Sequence, residues 1–316
     1  MFQMQQQSHY LKFLERFDVM KKILVFIIYI LLCTKSFADD EISFGYGMYV
    51  GGINVADAKA ELNINEQNEY SFKALIFSQG FTKFFTDFSF ITESKGKIIK
   101  DKVQFSEQIS SSISNFGDTH TILKHHKDKN TIVKYPNPEE VKIASLPGNP
   151  FLKANDPISS ILTLMQQIKF YKKCNINVVV VTNHYMYEVN SSPTTSKVLE
   201  ADSYNLASGK AISCVVKFKR LDKQDNISAY NDLNKGEEHK STNPIFHFMK
   251  LSGIPFYIPV SIEATEKRFG AFRLNLQFVK YKDKVYRVNQ WNDQASFPQE
   301  TIDKLKLVPS KLLKNN

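Results

Sequence analysis

One stretch limits the folds open to this chain: Asn155 to Tyr171, NDPISSILTLMQQIKFY, a long amphipathic helix set in text otherwise written as short strands. Asp156 suits an N-cap, and Pro157 falls in the first turn, where a missing N–H leaves no bond unmade. Ile158, Ile161, Leu162, Met165 and Ile168 recur at helical spacing and form an apolar stripe. Such a stripe must be buried, and the strands on either side in sequence are what can bury it. The expected fold is mainly β (α+β): a large curved antiparallel sheet, or half-open barrel, packed around one helix over 155–171.

The strand text is dense. Phe44–Val50 and Ile53–Asn65 flank Gly51-Gly52, a two-residue link suited to a primed hairpin turn. Ala56, Ala58, Ala60, Leu62 and Ile64 alternate with Asp57, Lys59, Glu61 and Asn63, so one face is apolar and the other wet. The small inward residues leave room for a bulky neighbour, and the Ile158 stripe fits that place. Tyr70–Phe77 repeats the alternation, and Phe81–Ile91 reads as an aromatic strand, Ser94–Lys97 as a turn, Ile98–Ile109 as the next strand. After the helix, strands are expected at Asn177–Thr182, His184–Val189, Lys197–Tyr204, Ala211–Arg220, Phe256–Ala264, Phe269–Tyr281 and Lys284–Gln290. Pro255 and Pro259 argue for an edge position of the strand that contains them. Residues 222–243 are polar and read as a mobile loop, and Phe297–Leu307 as a short closing helix.

Upstream stands an export signal. Lys21-Lys22 precede an apolar run of about eleven residues, Ile23–Cys33, and Ser36-Phe37-Ala38 supplies small residues where a signal peptidase reads. A spanning helix needs about twenty such residues. The expected division is an N-terminal extension and signal over 1–38 (signal 20–38, with Met20 a candidate start) and a single β-rich domain over 39–310. The expected address is the periplasm; an uncleaved signal anchoring the chain to the inner membrane is the alternative. The net charge is +9, and residues 1–38 hold five Lys/Arg against two acids, leaving +6 for the rest. The basic residues are scattered, with no stripe of the kind nucleic acid requires. A weak attraction to an anionic membrane surface is compatible with this charge.

Cys174 and Cys214 remain after the signal, and in an oxidising compartment an even pair reads as a disulfide. Candidate chemistry is thin. Gly45, Gly47, Gly51 and Gly52 lack phosphate-loop spacing and open a strand rather than a helix. His120 and His126 would share a strand face with His125 pointing away, which does not assemble a zinc tetrahedron. Glu139-Glu140 and Glu237-Glu238 lie in loop text, and Asp202, Tyr204 and Arg220 are polar groups at strand ends. No catalytic residue, metal site or cofactor is assigned.

The order of features resembles a known family. The hairpin Tyr46–Leu62 (YGMYVGGINVADAKAEL), the DPISSIL start of the helix at Asp156–Leu162, the Cys174/Cys214 pair and the tail phrase Phe256–Leu276 (FYIPVSIEATEKRFGAFRLNL) are together similar to an exported bacterial family known as domain of unknown function 3108. The FDG-like phrase common in that family is absent around His184–Val189. The resemblance implies a periplasmic β-rich fold curved around a helix, and no established activity.

The functional expectation is a non-enzymatic envelope protein whose concave face, at Phe81, Phe84, Phe88, Phe90 and Met165, holds an apolar ligand such as a lipid or meets an envelope partner. The alternatives are a hydrolase of envelope polymers, which requires converging acids or a His with an acid, and a scaffold bound through an edge strand near Phe256.

Overall fold

The computed structural model describes residues 40–80, 82–85, 87–114, 118–126, 129–137, 140–145, 154–182, 186–221, 243–266 and 270–288. The expected signal, nearly all of the loop 222–243 and the closing helix Phe297–Leu307 fall outside these residues.

The first arm of the sheet is a meander: β1 (Asp40–Val50), β2 (Ile53–Ile64), β3 (Glu69–Ser78), then a four-residue helical turn α1 (Thr82–Phe85), β4 (Phe88–Ile99), β5 (Lys102–Ser114), β6 (Thr119–His126), β7 (Lys129–Asn137) and β8 (Glu140–Ser145). The long helix α2 (Pro157–Tyr171) follows. The second arm is β9 (Asn177–Val181), β10 (Met186–Pro193), β13 (Ile212–Arg220), β14 (Ile245–Met249), β15 (Ile258–Glu266), β16 (Gly270–Tyr281) and β17 (Lys284–Arg287), with the small pair β11 (Val198–Leu199) and β12 (Gly209–Lys210) aside. All but that pair form one 15-stranded sheet, ordered β8-β7-β6-β5-β4-β3-β2-β1-β16-β15-β14-β13-β10-β9, with β17 on β16. Every pairing between named strands is antiparallel. The expected fold class is what forms: a large antiparallel sheet, not closed, around a helix.

Gly51 and Gly52 turn the first hairpin at φ +58° and +87°, the left-handed values a primed turn needs. Ala58, Ala60 and Leu62 are buried in the same core as Leu162, Met165 and Ile168 of α2. The burial of α2 is wider than an apolar stripe predicts, because Ser159, Ser160, Thr163 and Gln166 are buried as well. The hydroxyls of Ser160 and Thr163 are met within the helix: Ser160 Oγ donates to Asp156 O at 2.9 Å and Thr163 Oγ1 to Ser159 O at 2.7 Å.

The helix begins on a node of hydrogen bonds. Asp156 caps it in extended conformation, Oδ1 accepting from the N–H groups of Ile158 (2.8 Å) and Ser159 (3.1 Å). Oδ2 accepts from Ser94 Oγ of β4 at 3.1 Å and from Ser159 Oγ. Tyr70 Oη of β3 hydrogen-bonds both serines, Ser94 at 3.1 Å and Ser159 at 2.6 Å. One residue earlier, Asn155 pairs in parallel with the rim strand β9: its N–H donates to Val179 O at 2.7 Å, and Val181 N–H donates to Asn155 O at 2.9 Å. Ala154, Phe105, Leu123 and Val181 form a second apolar cluster. The two arms of the sheet thus meet across residues 154–156. At the other end of α2, Lys172 closes the helix in the left-handed conformation, and the Cys174–Cys214 disulfide (Cα–Cα 5.5 Å) ties the exit to β13.

Several expectations are corrected. Ser94–Lys97 is no turn but the middle of β4, with a register shift at Lys95/Gly96; the chain turns at Lys100-Asp101 instead. Gly96 is required by packing, since a Cβ there would lie 2.8 Å from the Tyr70 ring and 2.2 Å from Gln104 O. Phe81–Ile91 is broken by the turn α1, and the strand starts at Phe88. Of the strand expected at Lys197–Tyr204, Val198–Leu199 alone is extended. β14 was not anticipated. It converts the expected edge strand β15 into an interior one, with Pro259 tolerated at the register shift between His247 and Phe248.

Asp156→Ala is expected to lower the unfolding free energy by about 3 kcal/mol, as a lost cap plus stranded buried partners, and Asp156→Asn by about 1 kcal/mol, since an amide can still accept at one atom and donate at the other. Urea titration checks this, and equal losses would contradict it. Cys174→Ser and Cys214→Ser are expected to cost the same, about 4 kcal/mol for a loop of 40 residues. Clearly unequal midpoints would contradict a shared bridge.

Candidate functional site

Because the sheet does not close, a groove remains where β5 faces the start of β9. It has a volume of about 520 Å³ and runs along one side of α2. Ile99, Val103, Phe105, Ile176 and Val178 supply its apolar lining, with Thr163 and Gln167 of the helix between the two walls. Lys102, Gln104, His125, Asn175 and Asn177 supply polar groups. Val103, Phe105 and Ile176 are buried at its base, while Ile99 is 50% exposed at its mouth. Gln167 is held by Asp101, donating from Nε2 to Oδ2 at 3.0 Å. The size and the mixture of apolar walls with a few polar groups are those of a small-molecule site.

Of the residues singled out in sequence, His125 lines this groove, and Met165, Phe88 and Phe90 are not in its lining. Met165 is buried in the main core, 5% exposed, and lines none of this groove. Phe88 and Phe90 are half-buried; Phe90 pairs with Ile76, which packs against the main core. Phe81 lies outside the described residues, and Phe84 belongs to the turn α1. His120 Nδ1 is hydrogen-bonded to Ser111, and His125 packs on Phe105, ring centroids 5.5 Å apart. Among the described residues no group of three His, Cys, Asp or Glu could hold a metal ion. Asp202 is a turn residue, its Oδ1 accepting from the N–H groups of Tyr204 and Asn205, both at 2.7 Å.

A polar relay that sequence reading did not find crosses β13, β14 and β15. Ser213 pairs with His247, and His247 with Ser261. Ser213 Oγ and His247 Nδ1 are 2.9 Å apart, and His247 Nε2 lies 3.7 Å from Glu263 Oε2. Glu263 Oε1 is bridged by Lys197 at 2.6 Å. Burial holds the His247 imidazole below its ordinary pKa, against the pull of Glu263 and with help from Lys197. Burial works against ionisation of Glu263, but the Lys197 ammonium, His247 and Arg273 hold its carboxyl below the usual range. A serine, a histidine and an acid in series are the parts of a nucleophile relay. Here Ser213 is 2% and His247 3% exposed, and neither lines the groove. Both side chains are thus closed to solvent, and the segment that follows β10 lies against the row: Thr194 N–H donates to the Ser213 backbone O at 3.0 Å, and Lys197 reaches Glu263.

No protein-family model matches the chain. No curated protein matches it either. Among solved structures it is similar to a beta-barrel-like protein of domain of unknown function DUF1849 from Brucella abortus, at 7% identity and a TM-score of 0.48, over 78% of this chain and 99% of that one.

A histidine whose pKa falls on folding leaves the unfolded chain with the greater proton uptake below its ordinary value of 6.5, so stability falls as pH drops through that value. His120 is shifted the same way by burial, so both contribute. His247→Asn is expected to flatten, without abolishing, the loss of stability between neutral pH and pH about 5.5. Chemical unfolding across that range checks it, and an unchanged slope would count against a buried neutral His247.

Proposed function

We propose that this chain is a non-enzymatic protein of the bacterial envelope, exported to the periplasm by the signal at 20–38, that holds an apolar ligand such as a lipid acyl chain in the groove between β5 and β9. The observation that carries this reading is the unclosed seam. A 15-stranded sheet wraps a helix on both sides yet leaves some 520 Å³ beside it, walled by Val103, Phe105, Ile176 and Val178. Open apolar walls of that kind are stabilised when an apolar guest displaces water. Lys102 at the mouth suits an anionic or polar headgroup.

The exported setting is supported by the Cys174–Cys214 disulfide, which persists in oxidising compartments. No helix among the described residues is long and apolar enough to cross a membrane. The resemblance to the exported family 3108 read from the sequence fits the same reading. Relative to the sequence expectation, the ligand moves from the aromatic run and Met165 to the seam, because Met165 is sealed in the core.

A hydrolase acting on envelope polymers draws on one observation, the Ser213–His247–Glu263 series. The burial of Ser213 weighs against it, and labelling by a serine-reactive fluorophosphonate is expected to be absent. A scaffold bound through an edge strand near Phe256 loses its ground, since β15 has partners on both sides.

Binding of a fluorescent fatty acid to the purified protein tests the groove. Asn175→Trp and Val178→Trp, at an exposed and a half-buried lining position, are expected to weaken it at least about tenfold by filling the site, with unfolding midpoints near wild type. Binding unchanged in both variants, or undetectable in wild type, would reject the groove as the ligand site.

A further inference from the structure

The end of the molecule where α2 finishes carries a surface that neither the core nor the groove accounts for. Phe170 is 52% and Tyr171 54% exposed on the last turn of the helix, and Ile99 is 50% exposed at the neighbouring β4–β5 turn. The two segments are joined, since Tyr171 Oη donates to Asp101 Oδ2 at 3.2 Å and Gln167 Nε2 to the same oxygen at 3.0 Å. Lysines are interleaved with these apolar groups. Residues 99–102 and 169–173 hold Lys100, Lys102, Lys169, Lys172 and Lys173 against a single acid, Asp101. Asp40, which shares a surface hollow with Lys100, Lys169 and Phe170, is occupied by Tyr281 Oη at 2.7 Å and Lys282 Nζ at 3.5 Å. The lysine stems lie along aromatic faces: Lys172 Nζ is 4.4 Å from the Tyr257 ring centroid, and Lys169 Nζ is 5.6 Å from those of Phe170 and Phe256.

We propose that this rim docks the protein on an anionic lipid bilayer. Exposed aromatics with cations set among them suit the membrane–water boundary, where rings enter the headgroup layer and lysine stems reach the phosphates. A net excess of four positive charges over nine residues complements an anionic surface. The same excess opposes a second copy of the chain, because a two-fold contact would set the patch against itself. Since Ile99 and Lys102 also line the groove, its mouth opens on the docked side. Docking does not depend on the groove being filled.

Co-sedimentation of the purified protein with phosphatidylglycerol–phosphatidylcholine vesicles, beside pure phosphatidylcholine vesicles, tests the rim. Binding to the anionic vesicles at low salt, falling steeply as salt rises, is expected, with little binding to neutral ones. Lys169→Gln with Lys172→Gln and Lys173→Gln should lower the partition coefficient roughly a hundredfold, at about fivefold per lysine. Phe170→Ser should lower it several-fold, with circular dichroism and unfolding midpoint near wild type. Equal partition to neutral vesicles, no binding at low salt, or wild-type binding by the triple variant would overturn the proposal, the second outcome pointing to an acidic protein partner instead. Fatty-acid binding in the groove, measured on the same rim variants, is expected to stay at the wild-type level. A failed groove assay therefore leaves the vesicle result standing, and the converse holds.

Discussion

Three residues ahead of the long helix hold the architecture together. Ala154 packs between the arms of the sheet, Asn155 pairs in parallel beside the rim strand β9, and Asp156 caps α2 while accepting from Ser94 of β4. A carboxylate that is fully buried costs several kcal/mol unless its oxygens are satisfied. Asp156 meets that condition with two backbone N–H groups and two hydroxyls. Burial still pushes its pKa up, with Ser159, Ile158 and Ser94 pulling the other way. The Tyr70 hydroxyl beyond it is pushed up as well, by burial and then by the carboxyl of Asp156. Such a node works in one geometry, which specifies where the helix enters the sheet more sharply than apolar packing does.

The openness of the sheet follows from the same arrangement. On the β4–β5 side, where Ser94 meets the start of the helix, the strands bury polar residues. Thr92, Ser94, Gln108 and Ser110 are all buried there, with Gln108 Nε2 donating to Thr92 Oγ1 at 3.2 Å. Small side chains let the helix lie close near its start. Thr163 and Gln167 of the helix line the gap left between β5 and the start of β9. The groove is thus the geometric residue of joining two arms at one point rather than along their length.

How much of this is legible in the chain depends on how local each signal is. The Gly51-Gly52 turn, the alternation of Ala56–Ile64, the Asp156-Pro157 start and the cysteine pair are each written within a few residues or by simple parity, and each was legible. Gly96 was misread because its reason is long-range: it faces the ring of Tyr70, which no neighbour in sequence announces. Pro259 suggested an edge because a proline without an N–H usually stands at one; the register shift opposite Phe248 supplies another solution. The five residues of β14 were overlooked beside a polar run too long for a strand. The groove was the least legible, since Val103 and Phe105 alternate like any core positions. What makes them a wall is that β5 and β9 do not pair.

The Ser213–His247–Glu263 series shows why chemistry in sequence order and chemistry in space need separate arguments. Its members are spaced across 50 residues and share no motif, yet antiparallel pairing sets them in a row. Their connection to the core is indirect. The row anchors Thr194 and Lys197, and from there the chain sends Leu199, Ala207 and Ala211 into the main core. Leu206 N–H then takes Leu276 O at 2.8 Å, beyond the last β15–β16 pair at Ser261 and Asn275. Without that segment the Leu276 carbonyl and an apolar flank of the core would meet water. A catalytic reading would need the serine uncovered, and uncovering it would unseat the very segment that completes the wall.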